Sequence, residues 1–316
     1  MAATTSSMPA GVGASDRRRR PEGRIDPGSR PPSRIAIVGG SRNRTNVALA
    51  THWRALGLDV ALVSAADALE LLGPEDLALG RIDVLPSVDG VEPGLLGLLL
   101  LERRGVPILN RAFGLLAAHD KLLTERCLAA VGLPRPRTGA VRDPADPLPV
   151  SPPLVIKPRF GSWGVDVHRC ATEREARACL RALASRPWFT RHGAIVQELV
   201  GPSRRDLRLV VAADLAIAAI HRVAAPGEWR TNVALGGTIE LAAVDEAARE
   251  LAIAATRAVG CDLAAVDLLP LGGGRNVVLE VNGAADFEDN PVPEGRDIFR
   301  DAAAALGLDR NARLQA

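Results

Sequence analysis

Two carboxylates and an amide in the last third of the chain have the spacing of a metal site. In VVLEVN, Glu280 and Asn282 stand at i and i+2, so a β-strand turns both to one face. Asp267 lies in the preceding apolar segment, LAAVDLL, and glycines 272–274 turn the chain back between the two. An antiparallel pair of this kind collects three oxygen donors. Mg²⁺ takes such hard donors and fills its other positions with water or phosphate oxygens. The alternative is three solvated polar residues on one sheet face. The flanking residues are apolar, however, and a buried carboxylate without a partner is costly, so the spacing favours a metal.

The basic residues carry a second signal. Of the 39, 37 are arginine and only Lys121 and Lys157 are lysine. Lysine is a compact charge on a slim stem and fits a phosphate where a planar guanidinium does not. Lys157 closes the apolar run in PLVIKPRFGSWG and precedes a loop, Gly161-Ser162-Trp163-Gly164, whose backbone could cradle a phosphate. A strand-end lysine beside an ordinary hairpin fits the same letters. Lys121 follows Asp120 at a helix start and, taken alone, reads as a solvated first-turn charge.

Two further stretches are weaker. In IVQELVGPSRRDLR the strand-to-loop backbone at 197–200, with Glu198 and Leu199, could meet an adenine edge, and Asp206 could accept from ribose hydroxyls. Charged loop ends are common, and taken alone the segment reads as one of them. In HRVAAPGEWRTNVALGG, Arg222 and Arg230 flank a Pro-Gly loop with Asn232 near by. Two arginines there suit a carboxylate or phosphate; a solvated hairpin without a ligand fits the same letters equally well. GxSxG, GxxxxGK[ST] and HExxH are all missing, and Gly39-Gly40 lacks the remaining glycines of GxGxxG.

The elements that must position these residues alternate early and change later. From Ser33, short β-type runs (RIAIVGG, DVALV, RIDVL, VPILN) are separated by helical patterns with Ser64 as one N-cap and a helix opening at Pro93, which implies a parallel α/β sheet over 34–110. A helix over about 120–131 follows, then the strands TGAVR, PLVIK and GVDVHRC and a helix with the capping box Thr172-x-x-Glu175, a small α+β lobe over 111–192. From Gly193 to the end strands dominate around one helix, Asp245–Gly260, giving a larger antiparallel α+β lobe over 193–316. Residues 1–33 have the composition of a disordered tail, and no apolar stretch follows the Arg17–Arg20 run as an export signal requires. The net charge of +2 gives no case for nucleic acid. The longest apolar run, Leu95–Leu101, is too short to cross a membrane. Four cysteines without a CxxC pair read as reduced thiols in a cytoplasm.

Taken in order, LNRAFGLLAAHDKLLTERCLAAVGLPRPRT, PLVIKPRFGSWGVDV, IVQELVGPSRRDLR, HRVAAPGEWRTNVALGG and AAVDLL…VVLEVN resemble the ATP-grasp superfamily, specifically the RimK-type α-L-glutamate ligases, over about residues 109–283. The resemblance implies an ATP-grasp fold, in which an N-terminal parallel α/β lobe precedes two α+β lobes that clamp ATP. It implies that Lys121 and Lys157 hold the phosphates under the loop of Gly161, Ser162 and Gly164. Glu198 and Leu199 become the adenine hinge, and Asp206 the ribose ligand. Asp267, Glu280 and Asn282 bind two Mg²⁺ ions, with Mn²⁺ as an alternative. Arg208, Arg222 and Arg230, with Asn232, face the terminal phosphate and the reacting carboxylate. The implied activity is an ADP-forming carboxylate–amine ligase that adds an amino acid such as glutamate to a peptide, protein tail or cofactor, in a protein that can form a homo-oligomer. The same fold with another acid and amine, or an inactive ATP-binding scaffold, is the alternative. The chain departs from the family after VVLEVN, where it reads GAADFEDN in place of a small residue, Ser and Pro-Gly, and its loop from Leu199 to Asp206 is about one residue short.

Overall fold

The computed structural model describes residues 32–201 and 204–309. The Arg17–Arg20 run, and all but two residues of the expected tail, lie outside them. The first lobe comprises β1 (Ile35–Gly39), α1 (Arg44–Ala55), β2 (Val60–Val63), α2 (Ala65–Leu71), β3 (Leu77–Arg81), α3 (Leu95–Arg103) and β4 (Ile108–Leu109). Its sheet has the order β2-β1-β3-β4 and every pairing is parallel. Parallel neighbours need crossovers, and the helices supply them. Ser64 caps α2 as expected, accepting from the Asp67 N–H. β4 has only two residues because Asn110 turns left-handed, at φ 52°.

The second sheet follows two helices, α4 (Ala112–His119) and α5 (Lys121–Ala130). It contains β5 (Thr138–Val141), β6 (Leu154–Pro158) and β7 (His168–Cys170); α6 (Glu173–Leu183) and α7 (Pro187–His192) then lead to β8 (Ala194–Glu198). The order is β5-β8-β6-β7, all antiparallel. β8 was expected to open the last lobe, beyond a boundary at 192/193. It belongs instead to this central sheet, because its partners are β5 and β6, and an apolar run does not announce its partner. β7 is shorter than GVDVHRC because Trp163 and Asp166 have positive φ, 55° and 50°, which breaks extended pairing.

The last sheet holds β9 (Arg205–Ala212), β10 (Leu215–Val223), β11 (Thr238–Leu241), then, after α8 (Glu246–Val259), β12 (Leu263–Gly272) and β13 (Arg275–Asn282); α9 (Ile298–Ala305) follows. The order is β11-β10-β9-β12-β13, again antiparallel. Its strands alternate. Leu207, Leu209 and Val211 of β9 face a core shared with α8, α4 and α5. Val210 and Ala212, on the other face, share a core with Trp53, Leu49, Phe287 and Phe299 beneath the first sheet. That second face is apolar at one end and carries Asp206 and Arg208 at the other, because successive side chains change sides and i, i+2 positions stay together. Glycine allows one close crossing: a Cβ on Gly114 of α4 would lie 2.2 Å from the Gly260 carbonyl oxygen at the end of α8.

Two buried polar residues tie the first sheet to the last. Asn110 donates through Nδ2 to the carbonyls of Leu263 (2.7 Å) and Gly283 (3.1 Å) and accepts at Oδ1 from the Asp262 and Leu263 N–H groups. Arg81 donates to Asn46 Oδ1 and to the carbonyls of Ala285 and Gly283. With no carboxylate in hydrogen-bond contact, burial pushes its pKa down to about 10. Asn110→Ala removes the side-chain partner of the Leu263 carbonyl and of the Asp262 and Leu263 N–H groups, leaves the Gly283 carbonyl to Arg81 alone, and puts a less tolerant residue at a left-handed φ. A loss of about 3 kcal/mol of stability is expected, read as a lower denaturation midpoint; an unchanged midpoint would show that the lobes hold together without this junction.

Candidate functional site

All fifteen residues singled out in the sequence line one cleft, with about 1030 Å³ of void, between the central and last sheets. Its floor is a ladder of charge across β10, β9, β12 and β13. The register sets Arg222 opposite Asp206, Arg208 opposite Asp267, and Asp267 opposite Glu280, with Asn282 two residues further along. Arg208 holds Asp267 in a two-pronged pair, at 2.7 and 2.9 Å. Arg222 holds Asp206 the same way, at 2.9 and 2.5 Å, and its Nη2 reaches Asp267 Oδ2 at 2.8 Å. The Thr231 hydroxyl also donates to Asp206. Burial alone would raise the Asp267 pKa; Arg208 and Arg222 outweigh it and hold the carboxyl well below the usual range. Lys121 bonds Glu280 Oε1 at 3.1 Å and the Gly161 carbonyl.

The roof comes from the central sheet, where alternation sends Leu154, Ile156 and Val196 into their own core and Val155, Lys157 and Gln197 to the cleft. Lys157 is 6% exposed and donates to Gln197 Oε1 at 2.8 Å; Gln197 in turn donates to the Thr138 hydroxyl at 2.9 Å. Burial, and then the like charge of Lys121, push the Lys157 pKa down to about 8, against the opposing pull of Glu280 and Asp267. The loop over it is pinned: Arg230 donates to the Gly164 carbonyl at 2.9 Å, and a Cβ on Gly164 would lie 2.9 Å from Asn232 Oδ1. Asp120 caps α5 through the Leu122 N–H and takes Arg159 in two bonds, which sets Lys121 against the loop.

The remaining expected residues also line the cleft, each with partners of its own. Glu198 turns its carboxylate to the Arg137 N–H and Nε, and the Leu199 N–H donates to the Pro153 carbonyl. Asp206 is 1% exposed, with both oxygens engaged by Arg222 and Thr231. Arg222 and Arg230 do not share partners: Arg230 pairs with Glu228, whose pKa its hydrogen bonds pull down to about 2. Gln197, Thr231, Asp120 and Arg159 were not singled out. Gln197 was within reach, since it is a polar letter in the apolar run AIVQE. The other three act through partners distant in sequence.

Among the described residues no group of three or more His, Cys, Asp or Glu could hold a metal. Asp267, Glu280 and Asn282 offer two carboxylates and one amide oxygen on one face, the mixed hard-oxygen set that Mg²⁺ accepts when phosphate supplies further ligands. The donor set therefore fits Mg²⁺ carried by a polyphosphate, and the two lysines fit the phosphates. A phosphate-bearing ligand favours protonated Lys157. Because the free protein's value is about 8, ADP binding should weaken roughly tenfold between pH 7 and pH 9. It should weaken far less in Lys157→Arg. Calorimetric titration at the two pH values checks this, and equal slopes would remove Lys157 from the ligand.

Comparison with known proteins agrees with this geometry. A RimK-like ATP-grasp domain matches residues 118–305. A probable alpha-L-glutamate ligase of Pseudomonas aeruginosa is 34% identical over 203 residues, 62% of this chain and 66% of that one, so the match spans just under two thirds of its length. The ribosomal protein bS6–L-glutamate ligase of Escherichia fergusonii is 32% identical over 229 residues, 68% of this chain and 75% of that one. Among solved structures, D-cycloserine synthetase superposes with a TM-score of 0.62 at 20% identity, over 86% of this chain and 98% of the other, a likeness of fold. With the domain matched over more than half its length, and the ATP-grasp fold around the cleft, this chain belongs to the RimK-like ATP-grasp family.

Proposed function

We propose that the protein is an ADP-forming carboxylate–amine ligase. The observation that carries this reading is the convergence of the buried Lys157 and the half-buried Lys121 with Asp267, Glu280 and Asn282 across one cleft. Lys121 and Lys157 hold the phosphates of ATP. Asp267, Glu280 and Asn282 hold two Mg²⁺ ions, or Mn²⁺ in their place, which neutralise charge on the transferring phosphoryl group. The substrate carboxylate takes that phosphoryl group, and an amine then displaces phosphate from the acylphosphate to give an amide. The chain's own contribution is placement. Arg208 and Arg222 keep Asp267 ionised, Gln197 and Thr138 aim Lys157, and Arg230 secures the loop above it. No side chain need act as a nucleophile.

The acid and the amine fit a second chamber of about 1020 Å³ that shares Arg208, Arg222 and Asn232 with the cleft. Glutamate is the amino acid to try first, because two relatives are named for it. A protein tail is the first acceptor to try, because one relative is named for a ribosomal protein. Among the described residues no helix is long and apolar enough to cross a membrane. A cytoplasmic enzyme accords with the reading, and Leu96, Leu99 and Leu100, exposed on α3, suit a homo-oligomer.

With ATP, Mg²⁺ and the true acid, hydroxylamine should trap the intermediate as a hydroxamate, with ADP and phosphate formed in equal amounts. Release of AMP would falsify the mechanism and spare the fold. Glu280→Gln should keep its thermal midpoint within a few degrees, lose turnover and need more Mg²⁺. An unchanged Mg²⁺ dependence would take Glu280 out of the metal site.

A further inference from the structure

We propose that Asp83, Asp286 and Trp163 bind an organic cation at the outer end of the second chamber, so that the amine substrate carries a further positive charge remote from the nitrogen that forms the amide; this rests on the ligase reading of the cleft. The chamber meets the nucleotide cleft where Arg208, Arg222 and Asn232 line both. A third cavity, of about 1100 Å³, opens at the carboxyl end of the first sheet, around Gly39, Ser64 and Ile82. Asp83, Asp286 and Trp163 are the described residues that line both this cavity and the chamber. Each comes from a different lobe. Asp83 follows β3, Trp163 lies in the glycine loop between β6 and β7, and Asp286 lies in the GAADFEDN segment after β13.

Two carboxylates beside an indole are the groups that hold an alkylammonium or a guanidinium, and the aromatic face favours these over a metal ion. The other acidic side chains of the chamber are already compensated: Arg44 pairs with Glu288 at 3.2 Å and with Asp289 at 2.8 Å. Asp83 takes neutral donors, the Val84 N–H at 2.7 Å and the Asn43 amide, and no described residue donates a hydrogen bond to Asp286. The guanidiniums that act on them from a distance, Arg81 and Arg208, direct their donors to Asn46, main-chain carbonyls and Asp267. Arg42, which also lines the third cavity, pairs with neither. At the inner end the need is reversed. Arg222 is 6% exposed, and no described residue accepts from its Nη1. The chamber thus presents a donor where the amide forms and acceptors at its far end. An amine with an apolar or acidic tail would leave Asp83 and Asp286 unanswered; a lysine-like or arginine-like tail would answer them. Glutamate, on this reading, brings the carboxyl group and not the amine.

The test is calorimetric titration of the full chain, loaded with ADP and Mg²⁺, with two pairs of probes that differ in the distal charge: lysine against norleucine, and 1,5-diaminopentane against pentylamine. In wild type the distal charge should tighten binding about tenfold in both pairs. Asp286→Asn should reduce that factor to about two, and Trp163→Leu to about four. ADP affinity in Asp286→Asn should stay within about twofold of wild type, which a general loss of structure would not allow. Asp83→Asn should act as Asp286→Asn does; Asp286 is exposed, so its variant carries the test should the half-buried Asp83 prove necessary for folding. Absence of the tightening in one pair or both, or a tightening that Asp286→Asn leaves intact, overturns the inference. Failure of wild type to bind ADP overturns the ligase reading and this inference with it, whereas ADP binding without the distal-charge preference overturns the cation site alone.

Discussion

A carboxylate can be buried only if something compensates its charge, and Asp267 is where this protein meets that constraint. It lies on the fourth of five strands, 2% exposed, and two guanidiniums reach it from the β9 side. Arg208 can reach it because β9 and β12 are neighbours in register. Arg222 can reach it only across β9, and the bond to Asp206 holds it there. The order β10-β9-β12-β13 thus sets the electrostatics of the site. Another order would leave an ionised group buried alone, at a cost of several kcal/mol.

The same sheet shows how one strand serves two ends. A continuous face of β9 begins with Asp206 and Arg208 and finishes with Val210 and Ala212, packed against α1 and α9. The polar end needs no special backbone, because the rigid apolar end fixes where it lies. Lys157 follows the same logic: Ile156 and Leu154 bury one face of β6, and alternation leaves Lys157 the other. A side chain placed in this way is held to its position by packing it does not itself touch.

Much of this was legible in the letters. The scarcity of lysine singled out the two residues that approach the cleft from opposite sides, and period-two spacing put Glu280 and Asn282 on one face. The parallel first sheet followed from alternating strands and helices. What the letters withheld was partnership. Asp206, Arg222 and Thr231 are scattered through three segments, and only the register of β9 with β10 brings them together. β8 reads as a strand in any fold; its place in the central sheet depends on β5 and β6. The letters offered the backbone at Glu198 and Leu199 as a hinge, but they did not show that Arg137, 61 positions away, takes the Glu198 carboxylate.

The distribution of cores also decides how the molecule can open. The first and last sheets share one apolar core, so parting them would expose Trp53, Phe287 and Phe299 to water. The central sheet has its own core, and its apolar tie to the first lobe is the tip at Val88, next to the Asp89–Arg191 pair. Swinging that sheet away breaks the Val88 contact and the Asp89–Arg191 pair on one side, and on the other the Asp120–Arg159 pair and the bonds of Lys121 and Arg230 to the glycine loop. The central sheet is therefore one body, or jaw, and the first and last sheets together are the other, or anvil. The jaw carries Lys157 and the glycine loop, and the anvil carries Asp267, Glu280 and Asn282. Parting the two bodies would separate Lys157 from the acidic groups without any strand leaving its sheet.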